Sequence, residues 1–271
     1  MTAIVSRAPK RAHIQASSWD PNRPLSLSCG AVAKALQKMG YKVELFTRTK
    51  PPARHKITPL TPVKGDTGMV KFLYERTFPG VTYPSFDIPN PLRTYARRKV
   101  VTTTLGALRG APHATLKKFV KPVVPKLFPA TSDIHHVQDL PLPDDTGVLL
   151  QDLRQFRDEC RFFVAPWTGP IPMDDYLSDT DTRGRQDYER MAQLAQEMYE
   201  VWKPEAPKCF IMDVGMSAPY GGERYSPTLV EINSVLTAGN MDDVKVDTNY
   251  AGQMLATAWK SYARYGLRGE F

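Results

Sequence analysis

Apolar and polar positions follow helical and strand periods in alternation along the chain. Leu27, Val32, Ala35, Leu36 and Met39 recur at helical spacing and stop before Gly40. The pattern predicts a helix over residues 26–39 and a strand over 41–46 behind it. Short strands are expected at 2–6 and 13–16, and another at 68–74. Residues 91–108 set Arg93, Arg97, Arg98 and Lys99 among Leu92, Tyr95, Val100 and Val101, which reads as a basic helix with its charges in water. Strands are expected over 119–124 and 147–153. Residues 155–157 break the pattern before a further strand over 159–166. Tyr188, Met191, Leu194, Ala195, Met198, Tyr199 and Trp202 form one apolar stripe, so 186–202 is an amphipathic helix packed on a core. Two apolar runs, 209–214 and 228–232, read as strands joined by a polar Gly/Pro connection. A last helix covers 247–265. Residues 50–62, 79–91, 131–146 and 167–175 are loops or turns by their proline, glycine and polar content.

Composition narrows the class. The chain has 271 residues, 42% of them hydrophobic and 24% charged, enough apolar material for an ordered core in one large domain or two to three small ones. No run is long enough to span a membrane, and the N-terminus lacks the apolar stretch of a secretory signal. Cys29, Cys160 and Cys209 are widely separated and odd in number. They argue against a disulfide framework and for reduced thiols in a cytoplasm. Neither they nor the His135–His136 pair have zinc-ligand spacing. A formal net charge of +8 favours an anionic partner: a nucleotide, a phosphorylated substrate, an acidic protein or a nucleic acid.

The candidate chemistry lies near the C-terminus. Asp213 is near the end of the run 209–214, and Glu231 and Asn233 close the run 228–232. Residues i and i+2 on a strand share a face, and strand pairing would bring Asp213 to the same place. Two carboxylates and an amide oxygen suit a hard cation such as Mg2+. Each carboxylate is embedded in an apolar run, where an unpaired charge is costly. Lys121 interrupts another apolar run and for the same reason is expected to meet an anion. Lys126, five residues on, either joins it or snorkels to the surface. Glu159, Arg161 and Phe163 share one strand face, so Arg161 either pairs with Glu159 or points into a cleft.

Four segments together resemble the ATP-grasp superfamily, in particular its small members from phages and bacteria. FVKPVVPKLF is similar to the strand and turn that carry ATP-contacting lysines. VLLQDL is similar to the linker strand that holds adenine and ribose, and ECRFFV to the strand that follows it. FIMDVG with LVEINSVLTAGNMD resembles the metal-binding Asp and Glu-x-Asn. The resemblance covers about Arg93 to the C-terminus. It implies an α/β (α+β) fold in which two α+β subdomains, 91–150 and 151–271, clasp ATP behind a small α/β domain, 1–90. It implies a cytoplasmic ATP-dependent carboxylate–amine ligase working through an acyl phosphate, with ATP and Mg2+ as cofactors and small-molecule or peptide substrates. Lys121 and Lys126 would hold phosphates. Gln151, Asp152 and Leu153 would read the base and ribose, with Glu159 beside the nucleotide. Asp213, Glu231 and Asn233 would hold Mg2+, and Arg161 would stabilise the charge that develops in reaction. The chain departs from larger members in having SDIHHVQDLPLPDD where a Gly-rich loop would lie. Three other readings stay open: a kinase using the same site, a nucleic-acid-binding protein without turnover, and an ATP-binding regulator.

Overall fold

The computed structural model describes residues 10–16, 27–81, 83, 88–111, 117–123, 131–132, 134–172, 182–237 and 249–266. The strand expected at 2–6, and Lys126, lie outside the described residues.

Three sheets carry the described chain. The first holds β1 (Lys10–Gln15), β2 (Tyr41–Phe46) and β3 (Val63–Lys64), parallel, in the order β2-β1-β3. Helix α1 (Leu27–Lys38) makes the crossover from β1 to β2. Gly40 ends it with φ +80°, a left-handed conformation that glycine adopts without a Cβ clash. The segment 68–74, expected as a strand, lies instead in helix α2 (Thr67–Thr77). Asp66 decides this, because its side chain accepts the Met69 N–H at 3.1 Å as an N-cap. Val70, Leu73 and Tyr74 then fall on one buried helical face.

The expected basic helix over 91–108 is also corrected. Pro89 and Pro91 set a 3-10 turn over Asn90–Ala96, and Arg97 leaves it at φ 49°. Strand β4 (Val100–Thr104) follows because the run Val-Val-Thr-Thr-Thr is β-branched throughout. Thr104 then caps the short helix α3 (Leu105–Gly110) by accepting the Ala107 N–H at 3.3 Å. With β5 (Lys118–Pro122) and β6 (Gly147–Asp152), β4 forms an antiparallel sheet in the order β4-β6-β5. Residues 131–146 are not all loop, since α4 (Ile134–Gln138) lies within them. Leu105, Leu108, Val120, Val137 and Val148 make a small core of their own.

The third sheet is antiparallel, with β7 (Arg154–Ala165), β8 (Gly169–Pro172), β9 (Phe210–Pro219) and β10 (Ser226–Asn233) in the order β10-β9-β7-β8. The break expected at 155–157 is a bulge inside β7, with Arg157 as the extra residue between Phe156 and Asp158. The turn expected over 167–175 is shorter. It is complete by Gly169, where β8 begins, and its last residues lie outside the described ones. Helices α5 (Thr182–Trp202) and α6 (Tyr250–Gly266) pack against the sheets through Trp202, Trp259 and Tyr262, all buried. Apolar residues of the first sheet (Ile14, Val63) and of the third (Phe162, Met212) belong to one continuous core. Two contacts tie the first sheet to the residues just after β10. Lys64 Nζ donates to the Val235 carbonyl at 3.3 Å, and the Gly65 N–H to that of Leu236 at 3.2 Å. Among the described residues no helix is long and apolar enough to cross a membrane.

Candidate active site

The site is built where the second sheet faces the third. On β6, Val148 belongs to the small core and Leu150 packs against it. Strand alternation therefore turns Leu149 and Gln151 to the opposite face. Lys121 on β5 stands opposite Leu149 in the register and shares that face. From there its Nζ reaches Glu231 Oε2 on β10 at 3.0 Å.

Three neighbouring strands of the third sheet supply a single row. Arg161 on β7 is in register with Asp213 on β9, and Asp213 with Glu231 on β10. Their sequence neighbours Phe162, Met212 and Ile232 are buried in the core on the other face. Arg161 holds Asp213 in a two-pronged pair, Nε to Oδ1 and Nη2 to Oδ2, both 2.8 Å. Asn233 lies two residues beyond Glu231 on the same face. Its Nδ2 donates to Asp213 Oδ2 and to Glu231 Oε1, again at 2.8 Å each. Five residues singled out in the sequence thus meet in one network. Arg161 pairs with Asp213, not with Glu159.

The electrostatics follow from that network. Burial alone would raise the Glu231 pKa, but the Lys121 ammonium, the Asn233 amide and the Arg161 charge bring it below the usual carboxylate value. Hydrogen bonding to Asp213 raises the Arg161 pKa against the effect of burial. Glu159 keeps surface open to solvent while protein crowds its other sides. The lost water, and then the charges of Asp213 and Glu231, push its pKa up despite Arg161 and Arg98. Asp213 is only 1% exposed, so its charge depends on Arg161 and Asn233.

This donor set fits a hard cation. Asp213 and Glu231 are adjacent and already demand positive charge, which Lys121 and Arg161 supply in this structure. The Asn233 amide, turned by half a rotation, offers its oxygen at the same point. Among the described residues no three His, Cys, Asp or Glu side chains gather as a metal site, so the amide is needed as the third donor.

The other expected residues are placed as follows. Gln151 is 3% exposed on the cleft face. Asp152 is turned to the other face by alternation. There its carboxylate takes Lys118 Nζ and the Lys99 N–H, and the Lys118 bond lowers its pKa. The Leu153 N–H donates to the Lys117 carbonyl at 3.0 Å. Two residues went unnoticed in the sequence. Arg98, read as a solvated helix charge, lies between the sheets and bonds Gln151 on one side and β10 carbonyls on the other. Arg157, expected to be solvated, is bound to the buried Asp187 on α5 and sits over the Tyr225 ring at 4.6 Å. For Arg98 the available signal was the β-branched run that begins two residues later, which places the arginine at a strand entry.

Comparison with known proteins follows the same outline. A family model described as an ATP-grasp domain, the second family of its clade, matches residues 95–251. The chain is similar in structure to a RimK domain ATP-grasp protein from Sphaerobacter thermophilus, with TM-score 0.50 and 15% identity over 95% of this chain and 99% of that one. The VanG D-Ala:D-Ser ligase of Enterococcus faecalis gives TM-score 0.49 and 13% identity over 93% and 100% of the two chains. The D-alanyl-alanine synthetase A of Vibrio cholerae gives 0.47 and 10% over 97% and 100%. No curated protein sequence matches the chain.

Proposed function

The chain belongs to the ATP-grasp domain family whose model spans residues 95–251, and from that premise we propose that it is an ATP-dependent ligase. It would join a carboxylate to an amine through an acyl phosphate, with release of ADP and phosphate. The observation that carries the reading is the network across the two sheets, Lys121–Glu231 and Arg161–Asp213, tied together by Asn233.

Phosphoryl transfer needs positioning and charge neutralisation more than a covalent nucleophile on the protein. Lys121 stands at the face of the second sheet with its ammonium at the third, where it would exchange Glu231 for a phosphate oxygen. Lys126 would assist it. Gln151, with the backbone through Leu153, would read the base, and Asp152 would keep the end of β6 in place through Lys118. Asp213, Glu231 and Asn233 would hold Mg2+, which when bound neutralises phosphate charge. Arg161 presents a planar cation beside that position and would stabilise the acyl phosphate or the tetrahedral adduct. Glu159 lies on the same strand face as Arg161, and its raised pKa suits a group that meets the nucleotide or the entering amine. In this reading residues 1–90 form a preceding domain, 91–150 the smaller ATP-grasp subdomain and 151–271 the larger one.

The test is incubation of the full chain with ATP, Mg2+ and pooled amino acids or short peptides, followed by mass spectrometry. Condensation products with matching ADP are expected. A stable phosphorylated product without amine incorporation would make the chain a kinase. ATP binding without turnover would make it a regulator, and salt-sensitive nucleic-acid binding without turnover would support the basic charge as its main property.

A further inference from the structure

Gln151 contains an unexplained group. Its side chain is buried, yet Nε2 has neither solvent contact nor a hydrogen-bond partner among the described residues. The orientation of the amide is chemically fixed. Arg98 Nε lies 2.8 Å from the other end of the amide, and a guanidinium has no acceptor, so the oxygen must face it. Both N–H donors of Nε2 are therefore turned away from Arg98. Around them on the cleft face lie Val100 and Phe119, in register with Gln151 on either side, and Leu149 two residues earlier. All three are half-buried and apolar. An orphaned donor in a wall of this kind is costly unless a ligand supplies an acceptor.

The same guanidinium reaches the third sheet. Nη1 donates to the Leu229 carbonyl at 2.8 Å and Nη2 to the Val230 carbonyl at 2.5 Å. Val230 is the extra residue of a bulge in β10, where the register passes from Leu229 opposite Val214 to Glu231 opposite Asp213. A bulge leaves backbone groups out of the ladder and re-aims the next side chain. Here the next side chain is Glu231.

We propose that Arg98 is a positioning residue for nucleotide binding. It holds the Gln151 amide with its NH2 group toward the cleft, where a purine offers a ring-nitrogen acceptor. It also fixes the β10 bulge that presents Glu231 to the phosphate end. The inference rests on the nucleotide-binding reading above and adds a residue and a polarity to it. One guanidinium joins the base end of the cleft to the carboxylate end. No side chain other than arginine offers donors in three directions from a rigid plane.

The experiment is equilibrium binding to the full chain of two probes, ADP and inorganic tripolyphosphate, the second lacking a base. The proteins are wild type, Gln151→Met and Arg98→Lys. Methionine keeps the length of glutamine without its donors, and lysine keeps the charge without the fork. Both variants should lose about tenfold in ADP affinity, the size of one hydrogen bond, and keep tripolyphosphate affinity within about twofold. Gln151→Met should melt no lower than wild type, since it removes a buried orphan. Equal loss for both probes would show that the two residues only support the fold, and the proposal would fall. Unchanged ADP binding in Gln151→Met would overturn it as well, with the nucleotide reading intact. Wild type that binds neither probe would remove the nucleotide reading and this inference together.

Discussion

Arg161 and Asp213 stand opposite each other in neighbouring strands and share two hydrogen bonds of 2.8 Å, with the carboxylate almost wholly out of water. Removing one member of a buried pair leaves the other uncompensated, at about 3–5 kcal/mol. Arg161→Met should therefore lower stability in urea by about that much. Adding Asp213→Asn should restore most of it, because a neutral amide needs no cation. Arg161→Lys separates fold from chemistry. If the planar fork stabilises developing charge, turnover in that variant should fall about a hundred- to a thousandfold with nucleotide affinity unchanged. Near-normal turnover would mean that any cation beside Asp213 suffices.

Arg157 illustrates how a bulge changes an expectation. On sequence grounds its loss should cost no more than an ordinary surface change. In the structure it neutralises Asp187, which is 4% exposed, with Arg190, at 3.5 Å, left to replace it. Arg157→Ala should cost about 2–3 kcal/mol in denaturant unfolding, somewhat less than a fully orphaned charge. Asp187→Asn in the same chain should recover most of that. A cost below about 0.5 kcal/mol would return Arg157 to the solvated surface.

Two carboxylates should shape stability against pH in opposite directions. The Asp66 pKa lies below its ordinary 3.8. Burial would raise it, but the Met69 N–H, Arg48 and Gln15 together outweigh that effect. Its contribution is present above 3.8 and is lost as pH falls through the folded value. Asp66→Ala should cost about 1 kcal/mol at neutral pH, the usual worth of an N-cap, and the difference from wild type should shrink in acid.

Glu159 is the reverse case. Crowding and the nearby Asp213 and Glu231 raise its folded pKa above the ordinary 4.5. The folded state then binds the proton more tightly, and stability falls as pH rises from 4.5 through the raised value. Glu159→Gln should melt higher than wild type at neutral pH. That advantage should vanish below about pH 4.5. Melting curves that stay parallel across this range would mean that Glu159 does not feel the two carboxylates.

The carboxylate strands were legible because their chemistry and their periodicity coincide. Asp213 and Glu231 interrupt apolar runs, and alternation alone puts Glu231 and Asn233 on one face. Helix α5 and strand β2 were equally plain from spacing. What failed was the reading of short segments whose type depends on a single residue. Residues 68–74 carry enough β-branched and aromatic character for a strand until Asp66 caps the turn ahead of them. Residues 91–108 look amphipathic in composition, but two prolines and the β-branched 100–104 divide them into turn, strand and helix. That error hid Arg98, since a charge on a solvated helix and a charge entering a strand between two sheets look the same in composition. Cross-sheet partners such as Lys121 and Glu231, 110 positions apart, have no local signature at all.

That pair allows the nucleotide reading to be tested without turnover. Lys121 and Glu231 are partly exposed, 18% and 35% by side chain, so the bond between them should add only about 1 kcal/mol or less to the free protein. A double-mutant cycle with Lys121→Met and Glu231→Gln, read by urea unfolding, gives that coupling directly. If Lys121 leaves Glu231 for a phosphate when ligand binds, the coupling must shrink in saturating tripolyphosphate. By linkage, Glu231→Gln should then tighten tripolyphosphate binding, because Lys121 no longer has to break a bond before it engages the anion. Lys121→Met should weaken the same binding about tenfold or more, since a charged hydrogen bond to phosphate is worth about 1.5–3 kcal/mol. Both effects should fade as salt rises, the lysine being open to solvent on one side. A coupling that stays constant with and without the anion would show that Lys121 remains on Glu231. The ion pair would then be a strut between the sheets, and the phosphate would have to be held by other residues.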